Sequence, residues 1–242
     1  MPNSDRVSVI LPTYNERDGI AYLYPRLVEA LSGVASELWV IDDQSPDGTA
    51  AVARSLEGAL PVHVVERTGV RGLATAVLEG FRRASGESLA VMDADGSHPP
   101  EVLPALIRAV REGPAEMAIA TRESWSGDTP GLALGRRIIS TGGRWLARPL
   151  TRVRDPMSGF FVVRRSLLER ARLDPVGYKI GLEILVRCRP RPVAEIPYRF
   201  QPRIAGESKL DQGEIGRYLR HLVRLYRARA FGGPDRRARR TR

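Results

Sequence analysis

Residues 88 to 100 read Ser-Leu-Ala-Val-Met-Asp-Ala-Asp-Gly-Ser-His-Pro-Pro and place two carboxylates, Asp93 and Asp95, one residue apart behind an apolar run. Leu89 to Met92 predicts a buried strand, and the Gly-Ser turn and Pro pair predict an abrupt stop. Carboxylates at the carboxyl end of a strand in an open α/β sheet lie where ligands enter. Oxygen ligands of this kind suit Mg2+ or Mn2+ shared with a diphosphate. The same Asp-Ala-Asp-Gly also suits a polar turn and an N-cap for a helix starting at Pro100, and the motif alone does not separate the two.

Other residues add to this. The apolar run Leu38 to Ile41 ends in Asp42-Asp43 and then Gln-Ser-Pro-Asp-Gly-Thr49, rich in groups that hydrogen-bond a base or ribose. Two adjacent acids beside a buried strand cost stability unless something uses them, whereas Asp47 reads as the cap of a helix over about 48–57. Arg67 and Arg71 precede a helix N-terminus, a place that favours phosphate, although glycine and arginine are common before helices with no such role. Arg122 sits at the end of a strand over 117–120. Arg136 and Ser140, at i and i+4 on one predicted helix face, suit either a phosphate or a solvated basic surface. Lys209 is one of two lysines among thirty-six arginines and falls in the polar loop Arg203 to Lys209.

Strand-like and helix-like segments alternate around these groups. Val7 to Leu11 predicts a strand ended by Pro12, and Ile20, Leu23, Leu27, Val28 and Leu31 have helical spacing. Val62 to Val65 is a strand, followed by a helix to about Ser85, and a further helix runs over 100–112. This predicts an α/β fold with a mostly parallel central sheet and helices on both faces. Gly159 to Val163 and Val193 to Phe200 predict later strands, with a helix over Gly181 to Cys188. Residues 214–230 place Ile215, Leu219, Leu222, Val223 and Tyr226 near one helix face and arginines on the other, suiting an interfacial or partner-docking helix or one packed on the domain.

A chain of 242 residues with 43% hydrophobic content supports one sizeable core. The formal charge is +10; residues 213–231 hold five Arg against one Glu and residues 232–242 five Arg against one Asp, so an anionic partner is expected at that end. Nucleic acid is disfavoured because no stacking aromatics and no recognition signature accompany the arginines. The single Cys188 excludes an internal disulfide and fits a reducing compartment. No stretch resembles a secretory signal or approaches the roughly 20 apolar residues of a membrane-spanning helix. The expected organisation is a catalytic domain over 1–211, a basic amphipathic helix over 212–231 and a disordered Arg-rich tail over 232–242.

Taken together, Pro12-Thr-Tyr-Asn-Glu16, Ile41-Asp-Asp-Gln-Ser-Pro-Asp-Gly-Thr49, Gly72-Leu73, Asp93 to Pro100, Thr121-Arg122, Arg136 to Ser140, Asp155-Pro-Met-Ser-Gly-Phe160, Gly177 to Glu183 and Arg203 to Lys209 resemble the polyprenol-phosphate (dolichol-phosphate) mannosyltransferases, inverting family 2 glycosyltransferases of the GT-A fold. The resemblance implies that Pro12, Tyr14, Glu16, Ile41 and Asp43 surround a guanosine. It implies that Asp93, Ala94 and Asp95 bind Mg2+ or Mn2+ and the sugar diphosphate, and that Arg203 and Lys209 close over it. Arg122, Arg136 and Ser140 would receive the phosphate of a polyprenyl or dolichyl phosphate acceptor, with GDP-mannose as donor. Ser97 stands where relatives often carry Gln as a metal ligand, and its shorter side chain leaves room for a water. Many relatives carry transmembrane helices after the catalytic domain; this chain resembles the short forms, so contact with the cytoplasmic face of a membrane would be peripheral or through a membrane subunit. A polyprenol-phosphate enzyme using UDP-glucose is the nearest rival. Processive synthases carry Gln-x-x-Arg-Trp where this chain has Thr141-Gly-Gly-Arg-Trp145, and nucleotidyltransferases carry a glycine-rich loop where it has Thr13-Tyr-Asn-Glu16. A non-enzymatic basic protein binding membrane or nucleic acid is the distant alternative.

Overall fold

The computed structural model describes residues 3–56, 58–69, 71–122, 145–174, 176–204 and 212–231. In these residues β1 (Asn3–Thr13), β2 (Ser36–Asp42), β3 (Val62–Glu66), β4 (Gly86–Val91), β5 (Met117–Arg122), β6 (Phe161–Arg164) and β7 (Val193–Tyr198) form one sheet in the order β3-β2-β1-β4-β6-β5-β7. β6 runs antiparallel to both β4 and β5, and the other pairings are parallel.

Alternation along the central strands sorts side chains onto two faces. Val9 and Leu11 of β1, Ala90 of β4 and Val162 of β6 meet Ile20, Leu23 and Leu27 of α1 (Arg17–Ala30) and Leu106 and Val110 of α4 (Leu103–Arg111). Ile10, Leu89, Val91, Phe161 and Val163 meet Val77 and Phe81 of α3 (Leu73–Arg83) and Ile184 of α6 (Ile180–Arg187) on the other. Each such side chain taken fully from water contributes roughly 1.5–3 kcal/mol, which fixes the register of the strands and with it the position of their ends.

β1 continues through Pro12 to Thr13, past the predicted stop. Met92 N–H donates to Ile10 O, so even-numbered residues of β1 turn their peptide groups towards β4, and that ladder ends at Ile10 opposite Val91. The missing N–H of Pro12 therefore falls one rung past the last pair, where the β1–β4 ladder has already ended. The N-cap of α2 (Thr49–Ser55) is Gly48, not Asp47 as predicted; Asp47 stands one residue earlier, its Oδ1 accepting Thr49 N–H at 2.9 Å and its Oδ2 Arg17 N–H at 3.1 Å, which ties the starts of α1 and α2 together. The helix predicted from Pro100 opens as a 3-10 turn, Pro100–Val102, before α4. A short helix α5 (Arg165–Leu168) follows β6.

The C-terminal helix α7 (Gln212–Phe231) is docked on the α/β unit. Tyr218, Leu222 and Leu225 are buried against Ala147, Leu150, Leu182 and Val186. His221 of α7 and Glu183 of α6 are both inaccessible to solvent, with Nε2 and Oε2 2.6 Å apart, and Arg187 pairs with the other carboxylate oxygen at 2.5 Å. Of the apolar face expected on this helix, Leu222 is spent inside, while Leu219, Val223 and Tyr226 remain exposed.

Candidate active site

The register brings the predicted strand ends to one edge. Pro12 lies beside Ile41 and Thr13 beside Asp42, Asp93 follows from β4 on the other side of β1, and Arg122 ends β5 beside Tyr198. Residues 12–16, 41–43, 93–95, 122 and 203 thus surround one crevice at the carboxyl ends of the parallel strands.

On the β2 side the acids are enclosed. Asp42, with no exposed surface, accepts from Thr13 Oγ1 at 2.8 Å, Ser45 Oγ at 2.5 Å and Ser45 N–H at 2.8 Å. Asp43 accepts Arg67 Nη1 and Gly72 N–H, both at 2.8 Å. The anion at the start of α3 is the protein's own Asp43, and Arg67 is engaged with it and with Thr75. Arg71 lies over the Tyr14 ring at 4.6 Å and donates to its hydroxyl. Glu16 N–H donates to Thr49 Oγ1, holding the loop after β1 against α2. The Ile41 side chain is fully buried in the core facing α3, beneath the crevice and not on its surface.

On the β4 side the turn is rigid but its first acid is open. The Asp93 side chain is 35% exposed, against 7% for Asp95. Asp95 Oδ1 accepts both the N–H of Ser97 at 3.0 Å and its hydroxyl at 2.6 Å, and Oδ2 pairs with Arg203 Nε at 2.9 Å. Ser97 therefore orients Asp95. Ile204 N–H donates to Asp95 O and Gln201 N–H to Ser97 O, so the segment bearing Arg203 is stitched onto the acidic turn. Gly96 has φ +81°, so the backbone conformation demands glycine, and a Cβ there would also press the exposed Ile204 side chain aside. On the opposite side, a Cβ on Gly19 would lie 2.1 Å from the Ala94 carbonyl oxygen, so α1 approaches the turn as closely as backbone allows.

Arg122 is oriented by a fork: Nε and Nη2 donate to Asp155 at 2.8 and 3.0 Å, and Asp155 is fully buried. Burial lowers the guanidinium's pKa, but Asp155 outweighs it, and Arg122 is held above its ordinary value as a fixed positive charge.

Besides Asp155, two contributors were missed from sequence. His98 lies under the acidic turn, stacked on Phe160 at 5.0 Å, and its Nδ1 accepts Asp93 N–H at 2.9 Å. Burial pushes His98 below the ordinary imidazole value; Asp93 and Asp95 act the other way, and Arg122 and Lys179 add to the lowering. Lys179, within that electrostatic reach, donates to Met157 O at 2.9 Å. The signal for His98 was its place five residues after Asp93, and for Lys179 its rarity; neither identifies a partner. Arg136, Ser140 and Lys209 lie outside the described residues.

A sheet of this order with an acidic turn beyond its fourth strand has the GT-A fold of nucleotide-sugar transferases. Two solved forms of glucosyl-3-phosphoglycerate synthase from Mycobacterium tuberculosis share it. One, with Mn2+, UDP and phosphoglyceric acid, gives a TM-score of 0.71 at 22% identity, covering 96% of this chain and 80% of that one. The other, with Mn2+, UDP and glucosyl-3-phosphoglycerate, gives 0.69 at 23%, covering 96% and 82%. Residues 8–172 match the family described as glycosyl transferase family 2. The chain belongs to the family 2 glycosyltransferases, and three of its relatives are each named dolichol-phosphate mannosyltransferase. They come from Pyrococcus furiosus (43% identical, 91% of this chain), Mycosarcoma maydis (40%, 93%) and Saccharomyces cerevisiae (37%, 90%). The matches span 63%, 80% and 86% of those proteins respectively. Among the described residues no helix is long and apolar enough to cross a membrane.

Proposed function

We propose that the chain moves mannose from GDP-mannose to a polyprenyl (dolichyl) phosphate, with inversion, giving polyprenyl β-mannosyl phosphate. The observation that carries this reading is the open carboxylate of Asp93 beside Asp95, with Arg203 already on Asp95 and Arg122 fixed by Asp155. That arrangement suits a diphosphate on one side and a single phosphate on the other.

A divalent cation, Mg2+ or Mn2+, fits the donor set. The 35%-exposed Asp93 side chain, two residues from Asp95, suits an ion that these two carboxylates would hold and that phosphate oxygens and water would complete. When bound, such an ion supplies charge neutralisation for the departing nucleotide diphosphate. Arg203 would pass from Asp95 Oδ2 to a phosphate oxygen and add to that neutralisation, aided by Lys209. Pro12, Tyr14, Glu16 and Asp43 would hold the guanosine, Asp43 using lone pairs left over from Arg67 and Gly72, since a carboxylate accepts about four hydrogen bonds. Ile41 would take part through its backbone.

A lipid phosphate is ionised near neutral pH, so the attacking oxygen needs no side chain to remove a proton. Arg122, with Arg136 and Ser140, would orient that phosphate for attack opposite the leaving group. The lipid would bring the enzyme to the cytoplasmic face of a membrane, peripherally or through a membrane subunit.

Radiolabelled GDP-mannose and UDP-glucose, each offered with a short polyprenyl phosphate, test the reading. Label should pass from GDP-mannose alone and appear as the β-anomer; transfer from UDP-glucose only, or retention of configuration, sinks it.

A further inference from the structure

We infer that Phe200 is the wall against which the first isoprene unit of the acceptor packs, so that this ring selects a prenyl phosphate over a polar phosphate ester; the inference deepens the acceptor reading and rests on Arg122 receiving the acceptor's phosphate. Outside α7 and residues 145–146, the large apolar side chains exposed among the described residues are Tyr22, Phe200 and Ile204. Tyr22 has Arg26 over its ring at 4.8 Å, on α1. Phe200, 40% exposed, and Ile204 belong instead to the short segment that carries Arg203, so exposed hydrocarbon stands at the crevice.

That exposure is a held position. Gln201 N–H donates to Ser97 O and Ile204 N–H to Asp95 O, and with the Arg203–Asp95 pair they fasten the segment to the acidic turn. The ring is backed by aromatics: it meets His98 edge-on at 6.2 Å and Tyr198 at 6.5 Å, and both of these pack on Phe160. One face of an aromatic cluster is thus left in water beside the site, where an apolar ligand would complete its burial.

Place decides the ligand. The Phe200 ring centre lies 5.9 Å from the Arg122 guanidinium carbon, and Asp155 fixes that guanidinium. A phosphate held by Arg122 through charge-assisted hydrogen bonds would bring its first ester carbon to within about 6 Å of the same carbon, so the esterified group begins at the distance of the ring. A polar ester would turn hydroxyls or a second charge towards hydrocarbon and lose hydration there, a cost that an isoprenyl group does not bear. The donor's sugar would need hydrogen-bond partners around its rim, whereas this ring is bordered by aromatic edges.

Methyl, dimethylallyl and geranyl phosphate, which carry no, one and two isoprene units, are titrated calorimetrically into the full chain with GDP and Mn2+ present. The step from methyl to dimethylallyl should tighten binding about tenfold in the parent, and Phe200→Ser should abolish it while leaving methyl phosphate affinity and the step to geranyl within about twofold. Phe200→Leu should restore most of the lost step, and thermal unfolding of both variants should match the parent. Equal affinity of the parent for methyl and dimethylallyl phosphate overturns the wall and leaves the phosphate reading standing. A loss of methyl phosphate affinity in Phe200→Ser as large as the loss for dimethylallyl phosphate also overturns it, making the ring a prop for Arg122. A reduced preference for GDP-mannose over GDP, with the isoprene step kept, overturns it in favour of a ring stacked on the sugar. If the isoprene step depends on Phe200 but mannose passes to none of these phosphates, the wall stands and the transfer reading fails.

Discussion

Strands β2 and β4 each run apolar and then finish in a pair of acids, yet the two ends differ in who satisfies them. Asp42 and Asp43 are 0% and 6% exposed and receive their donors from Thr13, Ser45, Arg67 and Gly72. Among the described residues the Asp93 carboxylate meets only His98 Nε2, at 3.8 Å, and keeps 35% of its side chain in the open. Desolvated acids must be paid for by donors, so the enclosed pair fastens β1, β2 and α3 together. The open acid keeps its lone pairs for something outside the chain. Saturation by the protein's own groups marks Asp42 as scaffold and Asp93 as the carboxylate left for a ligand, while Asp43 and Asp95 are held by the chain and would serve the site through their remaining lone pairs.

The most forceful way to break this contrast is to neutralise one acid at each end. Asp93→Asn should lower turnover roughly 100- to 1000-fold while leaving unfolding free energy within about 0.5 kcal/mol. Asp42→Ala should do the reverse, costing roughly 2–4 kcal/mol in urea unfolding because buried Thr13 and Ser45 groups lose their acceptor, with turnover per folded molecule changed only a few-fold. An Asp42 variant that is stable but inactive would erase the distinction.

That distinction was not legible in the sequence, although much of the fold was. Apolar runs such as Leu38–Ile41 and Leu89–Met92 announce strands, and α3 and α4 carry helical spacing, because burial imposes those periods locally. The antiparallel course of β6 was hidden: Gly159-Phe-Phe-Val-Val163 reads the same in either direction, and only its pairing with Ala90 and Ala118 decides. Partners were hidden for the same reason. Arg122 was marked as a cation at a strand end, but Asp155, which orients it, lies 33 residues on, and Asp43 finds Arg67 24 residues away. The C-terminal helix showed its amphipathic face, but not that Leu222 would be spent inside and Val223 outside.

A third acid on β2 sharpens the comparison at the far end of the sheet. Glu37, with 3% of its side chain exposed, accepts Ser8 Oγ at 2.6 Å, Ser85 N–H at 2.8 Å and Ser85 Oγ at 3.0 Å. Burial pushes its pKa up, but the Ser8 and Ser85 hydrogen bonds outweigh that and hold it at about 2 against an ordinary 4.5. A folded-state pKa below the unfolded one stabilises fully above about pH 4.5, and the stabilisation is lost as pH falls from there through about 2. The gap corresponds to roughly 3 kcal/mol. Urea unfolding from pH 7 to 2 should show that loss in the parent and a flatter profile in Glu37→Gln, with turnover unaffected. Equal slopes in the two proteins would remove Glu37 from the enclosed class.

The smallest effect concerns how an open acid is kept in place without being saturated. Asp93 N–H donates to His98 Nδ1, so the neutral ring carries its proton on Nε2, and burial against Phe160, Tyr198 and Phe200 keeps it neutral. The contact grips Asp93 by its backbone and leaves both carboxylate oxygens for a cation, acting from behind as partners of metal ligands do. His98→Phe fills the same aromatic cage but offers no acceptor, and should weaken Mn2+ binding, titrated in the presence of GDP, by about tenfold. His98→Asn places a carboxamide oxygen near the lost nitrogen and should recover most of that loss. A purely space-filling role predicts the opposite order, Phe better than Asn, and that order would show that the openness of Asp93 needs no support from beneath.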